Sequence, residues 1–294
     1  MASYSIKELE EISSMKAHTI RIWELRYGLL KPERTDTNIR YYDDMQLKKL
    51  LNVCALLSEG MKISKISELS EKQIGDAIDQ IILKSSTTDV GIETVINQLL
   101  IAVTTFDELM FDRVFSNAIL RLGFIDTYLK IMYPLLVRVG LMWSKDDVMP
   151  AQEHFFSNLI KQKLFAAIDA TPVPQNVDQT WLLFLPETES HEIGLLLANY
   201  VIRSHGKKVI YLGQNVPYEN LTKVINSCKL THAYTFYIRN HPEENVEDLI
   251  GKLQKEHKNL KVCVSGKQSL VEKVAKKHKV VWIKQVDSLI EILK

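Results

Sequence analysis

The 294-residue chain is predicted to be multidomain: a winged helix-turn-helix, then an all-α four-helix bundle, then an α/β doubly wound parallel sheet. Three observations predict this. Within residues 1–50, two short helical patterns meet at a tight turn and lead into a hairpin pattern. Over 71–170 glycine is scarce and apolar residues recur at helical spacing. Beyond a proline-bearing linker at 171–176, apolar strand patterns alternate with helical ones. The expected domain bounds are 1–72, 73–170 and 177–294.

Each element has a local reason. Ser5-Ile6-Lys7-Glu8 has capping-box form and starts a helix. Ile12-Ser13-Ser14 reads as a turn that offers a serine N-cap to a second helix over 15–27. Gly28 ends that helix, because a residue just past a helix terminus often takes positive φ. β-Branched and aromatic residues flank Asp36-Thr37-Asn38 and predict a small hairpin, the wing. Asp43 or Asp44 caps the next helix, which stops at Gly60, and a short helix begins near Ser64. Val95, Leu99 and Ala102, then Leu109, Val114 and Ala118, mark apolar stripes. Breaks expected near Thr104, Gly123 and Asp146 make four bundle helices. Strands are expected at 181–185, 208–212, 233–238, 261–264 and 280–283. Five βα units imply a Rossmann/flavodoxin-like sheet with helices on both faces.

Composition narrows the function classes. Apolar residues make up 46% and charged residues 25%, which is ordinary for a globular protein. No run of eighteen apolar residues and no signal-peptide pattern occurs, so a cytoplasmic chain is expected. Cys54, Cys228 and Cys263 are isolated and lack metal or disulfide spacing. Net charge is +1, so any contact with nucleic acid must rest on where the basic residues sit. Neither a Walker A sequence nor HExxH nor a nucleophile elbow occurs, so the chain does not read as an enzyme.

The segments Tyr4-Ser5-Ile6-Lys7-Glu8-Leu9, Thr19-Ile20-Arg21-Ile22-Trp23-Glu24, Tyr27-Gly28-Leu29-Leu30-Lys31-Pro32 and Arg40-Tyr41-Tyr42 together resemble the MerR family of transcription regulators. The resemblance implies a reader of double-stranded DNA. The first turns of a recognition helix face base edges, and here they carry Lys16, His18 and Thr19. Arg21 and Arg26 extend to the backbone on the flanks. Arg34, Arg40 and Tyr41 of the wing are placed for phosphate or sugar contacts. The acidic residues Glu8, Glu10, Glu11, Asp43 and Asp44 are expected away from this surface. Operators are read in symmetric pairs, so a homodimer or higher homo-oligomer is expected.

Trp143 is followed ten residues on by Glu153-His154, and the first strand candidate by Glu189-Ser190-His191-Glu192-Ile193-Gly194. Together these resemble the cobalamin-binding sensory module attached to some MerR-type regulators. The resemblance implies adenosyl- or methylcobalamin as ligand. His191 would ligate cobalt from below, Glu189 would hold its other nitrogen, and Gly194 would let the helix start close to the ligand. Trp143, Glu153 and His154 would cap the upper face. The family's Ser-x-Leu is met by Thr235-Phe236-Tyr237, and its Gly-Gly beneath the nucleotide tail by Ser265-Gly266. A side chain at Ser265 crowds that slot, Tyr237 is bulkier than leucine, and Ser144 replaces a histidine of photosensing members. Two alternatives stay open: the same regulator with a degenerate sensor for another ligand or a protein partner, and a corrinoid carrier or methyltransferase component.

Overall fold

The computed structural model describes residues 4–35, 38–84, 89–143, 150–174, 178–187, 189–238 and 243–294. It forms two compact units, Met1–Phe156 and Ser157–Lys294. The division falls inside one helix, earlier than the linker expected at 171–176.

The first unit opens with α1 (Ile6–Ser13) and α2 (Ala17–Tyr27). The capping box at Ser5 and Glu8 is present, and Gly28 ends α2 with φ 59°. The expected serine cap of α2 is not. Ser14 takes the left-handed conformation as the C-cap of α1, and Lys16 stands at the α2 N-cap without a side-chain bond. The Glu10 carboxylate does the capping instead, accepting from the Ala17 amide at 3.0 Å. The wing pairs β1 (Glu33–Arg34) antiparallel with β2 (Arg40–Tyr41). Asp43 caps α3 (Asp44–Ser58) by accepting from Gln46 N at 2.8 Å, and α4 is the short turn Ile63–Ile66.

The bundle region differs from four helices in one respect. The stretch read as one helix is two, α5 (Glu71–Lys84) and α6 (Asp89–Thr104). The polar tract Ser85-Ser86-Thr87-Thr88 between them lies outside the described residues. α7 (Glu108–Leu122) stops at Gly123, and a continuous run follows: α8 (Phe124–Thr127), a π-turn over Tyr128–Met132, and α9 (Tyr133–Trp143). The wide turn directly precedes Pro134, which has no N–H for the carbonyl four residues back. α10 (Pro150–Asp169) begins with proline in the first turn, where a missing donor costs nothing. The break expected at Asp146 lies outside the described residues.

In the second unit the five expected strands appear: β3 (Thr180–Pro186), β4 (Lys208–Val216), β5 (His232–Tyr237), β6 (Lys261–Gly266) and β7 (Val281–Trp282). All pairings are parallel, in the order β4-β3-β5-β6-β7. The connecting helices are α11 (Ile193–Ser204), α12 (Tyr218–Ser227), α13 (Glu243–Glu256), α14 (Gln268–His278) and α15 (Val286–Leu293). Leu182, Phe184, Ala233, Tyr237, Val262 and Val264 pack one sheet face against α12, α13 and α14. Alternation along the strands sends Leu183, Tyr234, Phe236, Cys263 and Ser265 to the face covered by α11 and α15.

Candidate DNA-reading face and ligating histidine

On α2, Ile20 and Trp23 are buried, which turns His18, Arg21 and Leu25 outward on one stripe. Arg26 is exposed, and Thr19 is half-buried beside the stripe. Leu25 is 82% exposed and was not singled out in the sequence. It stands on the outward stripe beside the exposed Arg21 and Arg26.

Of the acidic residues expected away from this surface, Glu10 reaches it. Lys16 Nζ lies 3.0 Å from Glu10 Oε1. Arg40 Nε lies 3.5 Å from Glu24 Oε2, and Glu24 is nearly buried and also accepts from the Tyr42 hydroxyl. The Tyr41 hydroxyl donates to Glu33 within the wing, and Arg34 Nη1 donates to Asn38 Oδ1 at 2.5 Å. Arg40 thus spans from the wing to α2, and Arg34 and Tyr41 are held by neighbours within the wing. Burial, with Glu24 beside it, pushes the Tyr42 phenol well above its ordinary range.

In the second unit, sheet order places the switch point between β3 and β5, and ligands in open α/β sheets bind beyond the carboxyl ends of strands there. Glu189 follows β3 and is fully buried. Its Oε1 accepts from the amides of Ser190 and His191, each at 3.0 Å, and its Oε2 accepts from Ile238 N at 2.9 Å, across the switch point. The same Oε1 lies 2.6 Å from His191 Nδ1. A carboxylate held by three N–H donors is an acceptor, so the imidazole proton sits on Nδ1. That leaves the Nε2 lone pair on a ring whose side chain is 52% exposed. Burial, and then the Glu189 charge, push the Tyr237 phenol up.

Other expected site residues separate. Thr235 shares its face with Ala233 and Tyr237, away from Gly194, and its Oγ1 is buried without a hydrogen-bond partner among the described residues. Facing Gly194 is Phe236, and Tyr234 packs on the Phe236 ring with centroids 4.8 Å apart. A Cβ on Gly194 would meet Phe236 Cε1 at 3.1 Å. Ser265 is buried beside them, its Oγ 2.7 Å from the Tyr234 hydroxyl and 2.5 Å from the Ile283 carbonyl. Gly266, with φ 131°, is required by the β5 backbone: a Cβ there would fall 2.1 Å from Tyr237 O. Glu153 and His154 lie in the first turns of α10 and pair with each other at 2.9 Å, with the imidazole exposed. Trp143 closes α9, and Ser144 lies outside the described residues.

Residues 4–73 match the MerR HTH family regulatory protein family, and residues 66–167 match the B12 binding domain family. The chain carries a MerR-family domain and a B12-binding domain. The B12 match covers helices α5 to α10 rather than the sheet. The HTH-type transcriptional repressor CarH of Myxococcus xanthus is 28% identical over 267 residues, 90% of this chain and 89% of that one. CarA of the same organism, also named an HTH-type transcriptional repressor, is 27% identical over 216 residues, 72% of this chain and 68% of that one. The solved monomethylamine corrinoid protein of Methanosarcina barkeri superposes with a TM-score of 0.54 at 14% identity, covering 68% of this chain and 97% of that one. At that identity the likeness is one of fold.

Proposed function

We propose that the protein is a sequence-specific, DNA-binding transcriptional regulator whose C-terminal module senses a cobalamin. The observation that carries the ligand reading is the imidazole of His191, held at Nδ1 by the buried Glu189 carboxylate at the sheet's switch point. An outer carboxylate that fixes the tautomer and leaves Nε2 free is what a metal-ligating histidine needs. That donor set fits a cobalt ion, while among the described residues the Phe236 ring fills the space beside Gly194. When bound, the corrinoid would supply a cobalt centre able to take a nitrogen donor, and His191 would be the residue that holds it. This chain's residues hold the proton on Nδ1 and fix the direction of the ring.

His18, Arg21 and Leu25 form the face that reads DNA. Leu25 meets a thymine methyl, and His18 and Thr19 set base preference. Arg40 and Tyr41 fix the wing. The protein acts as a homodimer or higher homo-oligomer in the cytoplasm, and its relatives' names favour repression.

The test pairs two measurements on the full chain. Visible absorbance during titration with adenosyl- and methylcobalamin is expected to show binding, and His191→Ala is expected to shift the bound spectrum to a form without imidazole. Mobility shift on a palindromic duplex is expected to respond to the added cobalamin. No spectral change at about 100 µM, roughly the weak end of useful affinity, would reject cobalamin sensing and leave a regulator with a different signal.

A further inference from the structure

The space that Gly194 leaves at the start of α11 is not open. The Phe236 ring fills it, with Cε1 and Cδ1 at 3.1 and 3.2 Å from the position of a Cβ on that glycine. Phe236 packs on Tyr234 with ring centroids 4.8 Å apart. Tyr234 is buried and its hydroxyl meets Ser265 Oγ, which also reaches the Ile283 carbonyl. From Gly194 to Ile283 the layer between α11 and the sheet is therefore a continuous packed row whose hydroxyls bond to each other. Between the ends of β5 and β6, Gly266 lies against the Tyr237 backbone so closely that a Cβ would fall 2.1 Å from its carbonyl oxygen. Interiors packed in this way admit no bulky group without moving side chains.

Cobalamin carries its own base, a benzimidazole on a nucleotide arm. Where a protein imidazole takes the lower axial position, that base is displaced and must lie in the protein or in solvent. We infer that here it stays in solvent: the His191 site recognises the corrin ring and not the nucleotide arm, and takes base-free corrinoids of the cobinamide class at least as readily as complete cobalamin, whose own base must first leave cobalt. This rests on the reading of His191 as the cobalt ligand. Next to that histidine, Ile238 is 44% exposed while its amide is tied to Glu189, which gives a rim apolar enough for a flat macrocycle.

The experiment uses the full chain and two probes, aquocobalamin and diaquocobinamide, followed by visible absorbance. Diaquocobinamide is expected to bind at least as tightly as aquocobalamin, since no contact to the arm is lost and no internal base has to leave cobalt before His191 takes its place. Electron paramagnetic resonance of the two Co(II) forms is expected to show the same single axial nitrogen, lost from both in His191→Ala. Cobalamin binding thirtyfold or more tighter than cobinamide would overturn the inference while keeping the cobalt reading. Binding of neither would overturn both. Phe236→Ala, checked for folding by circular dichroism, is expected to shift preference toward cobalamin, and an unchanged preference in that folded variant counts against Phe236 as the block.

Discussion

At the scale of single residues, the site separates what sequence spacing can show from what it cannot. Glu189 and His191 are two apart on one turn, so their pairing follows from spacing alone, and they meet at 2.6 Å. The partners of Gly194 do not follow from spacing. Which of Tyr234, Thr235, Phe236 and Tyr237 faces α11 depends on strand register, and one residue of slip exchanges the faces. Thr235 stands at the position of the family's serine, and it is the next residue, Phe236, that lies against Gly194. Gly266 stands in the sequence as the second glycine of the family's pair, and spacing does not reveal the approach of the Tyr237 carbonyl that requires it. That reason gives a prediction. Gly266→Ala must move the β5 or β6 backbone, and also places a side chain at φ 131°. It is expected to destabilise the second unit by at least about 2 kcal/mol. Chemical denaturation followed by tryptophan fluorescence checks this, and a loss below about 0.5 kcal/mol, the scale of an ordinary surface change, would contradict the contact.

At the scale of elements, the helix-turn-helix shows how acidic side chains organise a basic reader. Glu10 caps α2 and holds Lys16, and Glu24 joins α2 to the wing through Arg40 and Tyr42. These links join side chains 6 to 18 positions apart in the chain, beyond what helical spacing reveals. The start of the sheet carries a further feature assigned no role from sequence. His232 at the head of β5 stacks on Trp181 at 4.0 Å with 6° between the rings. Burial lowers its pKa to about 4, helped by the charge of Lys261. The folded state thus favours neutral imidazole, while the unfolded chain takes up a proton near the ordinary value of about 6.5. Between these values the unfolded state binds more protons, so the histidine's contribution to stability is full above about pH 6.5 and falls as pH drops toward 4. His232→Phe keeps the stack and removes the titration. Melting temperature measured across that window is expected to fall less steeply in the variant than in the parent, and parallel slopes would show that His232 does not titrate between the two states.

At the scale of the whole molecule, the order of folds was legible because each has its own period. Strand patterns of alternating helices and β-rich runs fixed all five strands, and Asp43, Gly28 and Gly123 marked helix ends by their chemistry. The division of α10 was not legible. A helix shared between two compact units keeps one apolar pattern throughout, with Phe156 on Phe111 in the first unit and Lys161 Nζ 3.7 Å from Glu192 Oε1 in the second. Glu192 is the residue after His191 and also faces the Tyr211 hydroxyl at 3.5 Å. The reading face on α2 offers only the short stripe of His18, Arg21 and Leu25, with its basic neighbours partly engaged by carboxylates. One copy of so small a surface supplies little affinity at physiological salt, because each neutralised phosphate adds a limited, salt-dependent increment. Two copies on a symmetric operator add their contacts, which is the argument for a dimer as the binding species. Analytical ultracentrifugation of the full chain with a palindromic duplex is expected to give two chains per duplex, and a duplex with one half-site destroyed is expected to bind at least about tenfold more weakly. Arg21→Ala is expected to lower the slope of affinity against salt on both duplexes, while Leu25→Ala changes base preference and leaves that slope alone. A single chain bound per palindrome, with equal affinity for the half-site duplex, would refute the paired reader.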